Sequence, residues 1–442
     1  MKIQLSDHFT YSKLFRFTLP SITMMVFTSI YSMVDGYFVS NFAGKTAFAA
    51  MNLIMPFVMV LGGMGFMVGT GGTALVSKVL GQRNKATANR YFSMMIEVTL
   101  LLGILLGVLG VVFMEPMARF LKATDEMMAD CVLYGRIVTG FTVAFMLQNV
   151  FQSFLIAAEK PKLGLIATIA AGVTNMVLDA LFVGVFRWGV AGAAIATGLS
   201  QCVGGVFPLM YFLRPNSSLL RFKPAKLAWK PILQACANGS SELMSNVSSS
   251  LVSILYNFQL LRYFGEDGVS AYGVLMYVQF IFIAIFVGYS IGCAPVVGFH
   301  YGAENHRELK NMLGKSVLLM GVGGIVLTAL AQGLAEPLAH IFVGYDADLY
   351  TLTVHAFRLF SFTFLLAGFN IFSSFFTALN NGGVSAAISF LRTLVFQCTC
   401  VLILPEVMRV DGIWWSNFFA EIGSFLVSLL FLLGMRKKYR YF

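Results

Sequence analysis

The sequence predicts an all-α integral membrane protein, with 12 transmembrane helices in two six-helix lobes related by a pseudo-two-fold axis along the membrane normal. Three observations predict this fold. The composition is 58% hydrophobic and only 11% charged over 442 residues, whereas soluble proteins carry about 25% charged residues. Apolar stretches of membrane-spanning length recur along the chain, and the second half of the chain repeats landmarks of the first.

The apolar stretches predict the individual helices. A spanning helix needs about 20 apolar residues. Because lipid offers the backbone no hydrogen-bond partner, such stretches form helices or closed barrels, and these are too long and too uniformly apolar for barrel strands. The first stretch has full spanning length, so we predict a helix there and no cleaved signal. The predicted helices cover 14–39, 47–76, 92–114, 133–157, 163–186, 190–212, 231–261, 269–298, 316–334, 354–379, 385–404 and 412–434.

The basic residues predict the orientation. Of the 30 lysines and arginines, 21 lie at the two ends of the chain or in the connections on the same side, and six lie in the opposite connections. Basic residues accumulate on the cytoplasmic side of a membrane. We therefore predict a multi-pass protein of the plasma (cytoplasmic) membrane with both termini in the cytoplasm. The net charge of +10 is then a topology signal, and we expect no nucleic-acid partner.

An internal repeat divides the chain. When the sequence is shifted by 221 residues, landmarks coincide in a fixed register. Since this shift spans six helices, both halves enter the membrane in the same sense, as in transporters whose site lies between two parallel repeats. We predict an N-terminal lobe at 1–212, a basic cytoplasmic linker at 213–230 and a C-terminal lobe at 231–442. The coinciding pairs include Gly71 with Gly292, Gly81 with Gly302, and Asp125 with Asp346.

Two acidic residues in the first half mark a candidate cation site. Asp35, Asp179 and Thr197 lie six to eight residues from the outer ends of the first, fifth and sixth predicted helices, which places all three ~9–12 Å below the outer surface. Asn175 lies one turn from Asp179 on the same helix face. Acids within the membrane are costly and indicate function. This oxygen-only set suits Na⁺ or a proton shared with a carboxylate, and a cluster that only joins helices is the alternative.

The repeat provides an internal comparison for this site. In the register of the repeat, the second half carries no equivalent polar residue at any of the four positions. A cluster that only joined helices would be expected to recur there in part. The pairs are Asp35 with Tyr256, Asn175 with Phe396, Asp179 with Cys400 and, after a two-residue shift that aligns Gly189 with Gly412, Thr197 with Ala420.

Three further acids lie within predicted helices. For Glu97, near the basic inner side, we expect a structural role or an ion pair; for Glu421 the sequence leaves function and structure equally open. Glu242 belongs to an unusually polar stretch, 238–250, which predicts either an aqueous cavity or a helix end bathed in water.

Aromatic residues and methionine are frequent in the second half. Side chains of this kind usually face lipid or neighbouring helices, but they also bind organic cations. The sequence therefore offers a candidate substrate cavity formed by Glu242, Tyr256, Met276, Tyr277 and Phe280.

Other chemistry is not indicated. Gly44-Lys45-Thr46 resembles the end of a phosphate-binding loop, but Val39 replaces the leading glycine and no strand precedes it. The sequence contains no HExxH motif and no catalytic constellation. We therefore predict that the protein is not an enzyme, binds no nucleotide and uses no cofactor except a coupling ion, H⁺ or Na⁺.

Particular residues also carry a family resemblance. The segments 33–39, 175–182 and 189–197 resemble signatures of the multidrug and toxic compound extrusion (MATE) family, and the resemblance extends over essentially the whole chain. The segment around Glu242 and Ala271-Tyr272-Gly273 is similar to the MepA-like branch.

The resemblance implies a secondary active multidrug exporter that exchanges lipophilic or cationic compounds for H⁺ or Na⁺ by alternating access, and we expect a monomer in the bilayer. It places the cation or proton site at Asp35, Asn175, Asp179 and Thr197 with the backbone carbonyl of Ala193, and it makes Pro20 a helix-bending residue.

The alternative function is a flippase for a lipid-linked precursor, since related folds carry this activity. Its cavity would need arginine and lysine to hold a pyrophosphate. The basic residues within the predicted helices are Arg136, Arg358 and Arg392.

Overall fold

The computed structural model describes residues 3–441, and within this range the secondary structure is entirely helical. Ten helices are long and apolar enough to cross a membrane, and the bent pair Asp125–Gly140 and Thr142–Ala157 together forms an eleventh such span. The twelfth long helix, residues 229–264, is the polar helix around Glu242. The helices are α1 (Tyr11–Phe38), α2 (Lys45–Gly81), α3 (Lys85–Val112), α4 (Asp125–Gly140 and Thr142–Ala157), α5 (Pro161–Asp179), α6 (Gly189–Leu213), α7 (229–264), α8 (Asp267–Gly302), α9 (His306–Val343), α10 (Ala347–Ala378), α11 (Gly382–Met408) and α12 (Asp411–Tyr439).

The structure differs from the predicted helix boundaries at two places. The fourth helix begins at Asp125 instead of residue 133, and it bends by 54° near Phe141. The predicted connection between α7 and α8 shrinks to a sharp break at Gly265, where φ is 62° and ψ is −147°. Only glycine adopts this backbone conformation at low cost.

The segment between the halves, residues 214–228, is not helical, and part of it runs along α3. Three alternate N–H groups donate to three α3 side chains spaced one turn apart. The spacings agree because two extended residues and four helical residues each advance by ~6 Å. Glu97 thus has a structural partner. The bonds run from Arg221 to Asn89 Oδ1 (2.9 Å), from Lys223 to Ser93 Oγ (2.8 Å) and from Ala225 to Glu97 Oε1 (3.1 Å).

The two halves pack backbone against backbone at repeated glycines. A Cβ on Gly71 of α2 would collide with the α7 backbone, and one on Gly292 of α8 would collide with Ser21 of α1. Gly81 and Gly302 likewise leave no room for a Cβ between α2 and α8. The paired glycines of the repeat therefore occupy equivalent contacts, as a pseudo-two-fold axis requires. The lobe boundaries at residues 212 and 231 stay a prediction.

The last of these contacts lies at one end of the bundle. Gly81 abuts the carbonyl group of Phe299, and Gly302 abuts that of Lys78. The α2–α3 and α8–α9 connections follow directly, and the charge pattern predicts that both are cytoplasmic. The halves are thus in direct contact at their predicted cytoplasmic ends.

Candidate functional site

The helices that carry the predicted cation site are neighbours. The helix α5 packs against both α1 and α6. Gly172 of α5 lies against the rings of Phe27 and Tyr31, where a Cβ would collide with them, and Gly192 of α6 lies against the backbone of Phe182. The small residues at the start of α6 therefore allow the close approach that their sequence predicts.

The two carboxylates are buried beside each other. The exposed fraction of Asp35 is 7% and that of Asp179 is 0%. Each carboxyl group interacts electrostatically with the other. Asp179 ends the α-helical part of α5 and is followed directly by the π-helical turn Ala180–Val185, while Val39–Ala43 forms a similar turn after α1. Such turns are rare and are frequent at functional sites.

Apart from the contact between the carboxyl groups of Asp35 and Asp179, five side-chain oxygens of the predicted site are buried without a hydrogen-bond partner within residues 3–441. Buried polar atoms in proteins nearly always have a partner. A cluster that only joins helices would use these oxygens in interhelical bonds, so their state favours a site that takes up a cation or a proton. They are Asp35 Oδ1, Asn175 Oδ1, Asp179 Oδ1, Asp179 Oδ2 and Thr197 Oγ1.

The remaining predicted residues lie on the same helices. Ala193 is buried on α6, one turn before Thr197. Pro20 is buried within α1, which continues as a helix on both sides of it, next to the residues that contact Gly288 and Gly292 of α8.

Two tyrosines near the carboxylates were not predicted from the sequence. Tyr134 of α4 is buried and close enough to Asp35 and Asp179 to interact electrostatically with both, and its hydroxyl group has no partner among the described residues. Tyr31 lies one turn before Asp35 and reaches Gln148 of α4. Tyr134 is nine residues from the start of α4 at Asp125, which gives it nearly the depth of the carboxylates. The prediction that this helix starts at residue 133 concealed that depth.

The equivalent region of the second half is built differently. Tyr256 is fully buried, its ring stacks on that of Tyr272 at 5.0 Å, and its hydroxyl group points to the carbonyl group of Ile413. Arg392 of α11 donates to Glu421 of α12, with 2.6 Å between Nη2 and Oε1. Glu421 therefore has a charged partner.

Glu242 lies between the halves. It is 13 residues beyond the first residue of α7, or ~20 Å along the helix, so it does not lie at a water-bathed helix end. It lines a cavity whose other walls belong to α2, α4, α8 and α10. The polar side chains around it are Thr70, Thr73, Ser153, Ser290, Ser374 and Thr377.

The aromatic residues predicted to share this cavity do not line it. The prediction for Tyr256 is wrong, because the side chain is sealed in the core of the second half. Tyr277 and Phe280 are 44% and 55% exposed, and Tyr277 stacks on Phe342 at 5.6 Å. Met276 is half-buried against the core of the second half.

Comparisons with known proteins agree with this geometry. The MatE family model matches residues 20–181 and 243–401. The multidrug export protein MepA of Staphylococcus haemolyticus is 23% identical over 99% of this chain and 97% of its own length.

Solved structures share the fold. A MATE protein in complex with MaL6 superposes with a TM-score of 0.90 at 21% identity, covering 96% of both chains. The outward-facing conformation of a multidrug resistance MATE family transporter gives a TM-score of 0.89 at 22% identity, again over 96% of both chains.

Proposed function

This chain belongs to the MatE family, and we propose that it exchanges lipophilic cations for H⁺ or Na⁺ by alternating access. Membership of the family makes it a multi-pass membrane protein and a multidrug efflux transporter, not an enzyme. The observation that carries the proposed coupling is the pair of buried carboxylates, Asp35 and Asp179, whose surrounding oxygens lack protein partners.

The pair gives the coupling a physical basis. Two ionised carboxylates side by side in a low dielectric repel each other and are poorly solvated. A proton or a Na⁺ ion, bound with Asn175, Thr197 and the carbonyl group of Ala193, would cancel one of the two charges. Its release would restore the second negative charge and would change the energy of the conformation that buries the pair.

α1 connects this site to the second half. It carries both Asp35 and Pro20, and it contacts α8 at Gly288 and Gly292. Proline removes a backbone hydrogen bond, so α1 is weakest near that contact, where bending would move the two halves relative to each other. A drug and a cation that prefer different conformations would then be transported in opposite directions.

The cavity around Glu242 supports a cationic substrate. Its lining contains one acidic residue, several hydroxyl groups and no basic residue. A flippase for a lipid-linked pyrophosphate would need basic residues there. Of the intramembrane arginines, Arg392 is paired with Glu421 and Arg358 with Glu336.

The decisive experiment is transport by purified protein in liposomes under separate H⁺ and Na⁺ gradients. We expect efflux of a cationic dye driven by one of the two gradients and no movement of a fluorescent lipid pyrophosphate. Lipid movement without dye efflux would favour the flippase. A single cysteine in place of the exposed Lys226, in a variant without the six native cysteines, would test the orientation. Labelling from outside intact cells would contradict a cytoplasmic linker and cytoplasmic termini.

A further inference from the structure

The segment before α1, residues 4–10, lies across both halves of the protein; we call it the N-terminal strap. In the first half, the N–H group of Leu5 donates to Glu159 Oε1 in the α4–α5 connection (2.9 Å). In the second half, the N–H group of Phe9 donates to Glu308 Oε1 in the first turn of α9 (2.9 Å).

Glu308 is the centre of the second contact. Its side chain is 5% exposed, and it lies 2.7 Å from the imidazole Nδ1 of His8. It also accepts from Asn311 Nδ2 (2.7 Å). The carbonyl group of Phe9 accepts from Asn311 Nδ2 (3.0 Å) and from Lys315 Nζ (2.6 Å). Both backbone polar groups of Phe9 are therefore held by one face of α9.

Apolar packing joins the strap to the same half. Leu5 and Phe9 are fully buried, and they belong to the hydrophobic core formed mainly by α7–α12. The ring of Phe9 also contacts that of Phe17 in α1, with 5.7 Å between centroids. The strap is thus covalently part of the first half but packs with the second.

We propose that Glu308 is a positioning residue for transport: it fastens the N-terminal strap to α9 and thereby keeps the cytoplasmic side of the transporter closed. This inference rests on the proposed alternating access. The halves meet at Gly81 and Gly302 close to the start of α9. If the cytoplasmic ends separate, either the bond between Leu5 and Glu159 or the contacts of Glu308 must break.

A covalent lock tests the proposal. In a variant without native cysteines, the pair His8→Cys and Glu308→Cys is joined by a short bis(methanethiosulfonate), which links the two thiols through reducible disulfides. Dye transport in liposomes is measured before and after reduction. We expect the crosslinked protein to lose transport and reduction to restore it. Undiminished transport by the crosslinked protein would overturn the proposal.

The strap provides a matched control. Asp7 Oδ2 lies 3.3 Å from Lys13 Nζ, and Lys13 belongs to α1. A crosslink between Asp7→Cys and Lys13→Cys ties the strap only to its own half, so we expect transport to continue. Transport by the cysteine-free parent protein, which keeps His8 and Glu308, is measured first; its absence would count against the proposed function and not against the strap.

A second measurement does not depend on crosslinking. Glu308→Gln keeps one acceptor for Phe9 but loses the charge that faces His8. In inside-out vesicles, we expect a reporter cysteine at Thr70, in the Glu242 cavity, to react about tenfold faster in this variant, the effect of losing one charge-assisted hydrogen bond. An unchanged labelling rate in folded protein would contradict a role of Glu308 in closing the cytoplasmic side.

Discussion

The two halves of this protein share the same arrangement of helices but differ in the partners of their buried acidic side chains. In the first half, Asp35 and Asp179 lie side by side, and the oxygens around them lack protein partners. In the second half, Glu421 is bound by Arg392 through two guanidinium nitrogens. A charge with a fixed partner has no need of a mobile cation, whereas two unpaired carboxylates require one. The comparison therefore supports the proposal that coupling takes place in the first half.

The largest expected effect comes from removing either carboxylate. Asp35→Asn and Asp179→Asn should each abolish gradient-driven export, because a single remaining acid no longer needs the same neutralising cation. Dye efflux at matched membrane expression measures this. The matched control is Cys400→Ser at the position equivalent to Asp179, which should leave export largely intact. Normal coupling in both asparagine variants would show that the cluster only packs helices.

The ion pair of the second half should matter for stability instead. Arg392→Gln leaves Glu421 buried without a charged partner, which typically costs ~3–5 kcal/mol. Thermal unfolding of the purified protein should occur at a clearly lower temperature. The double variant Arg392→Met with Glu421→Leu should recover most of the loss, because the unpaired charge is gone. Loss of coupling in the stable double variant would mean that the second half also takes part in cation exchange.

Tyr134 tests how far the site extends beyond the predicted residues. Tyr134→Phe keeps the buried ring and removes only the hydroxyl group that lies near both carboxylates. The hydroxyl group has no partner among the described residues and is free to interact with the bound cation. A bond of this kind to a charged group is worth ~1.5–3 kcal/mol, so the cation concentration for half-maximal transport should rise about tenfold or more. Tyr272→Phe, which removes the hydroxyl group of a buried tyrosine in the second half, should leave that concentration unchanged. Equal effects of both substitutions would indicate a packing role for Tyr134.

The sequence was informative where one physical rule dominates. The bilayer requires helices of a minimum length, so the apolar stretches predicted all twelve helices. The similar depth of Asp35 and Asp179 in their helices predicted that the two carboxylates are neighbours. Prediction from the sequence failed where contacts between helices determine the position of a residue. The helix α4 begins with Asp125 and Glu126, and because these residues are charged, the apolar stretch predicted a start at residue 133 instead. The depth of Tyr134 was therefore not recognised. Tyr256 occupies a position equivalent to Asp35, but only packing shows that its ring is sealed against Tyr272.

Glu97 gives the smallest expected effect and separates two kinds of intramembrane acid. Its carboxylate accepts a hydrogen bond from the backbone of Ala225, whereas the carboxyl group of Asp179 lies against another carboxyl group, that of Asp35, and accepts from no N–H group within residues 3–441. Glu97→Ala should therefore cost only about 1 kcal/mol, the usual value of one hydrogen bond, and should leave coupled export unchanged. Hydrogen exchange at residues 221–225 should become faster, and Ser93→Ala should act similarly through Lys223. Loss of export in Glu97→Ala would mean that the presence of a protein donor does not distinguish structural acids from coupling acids.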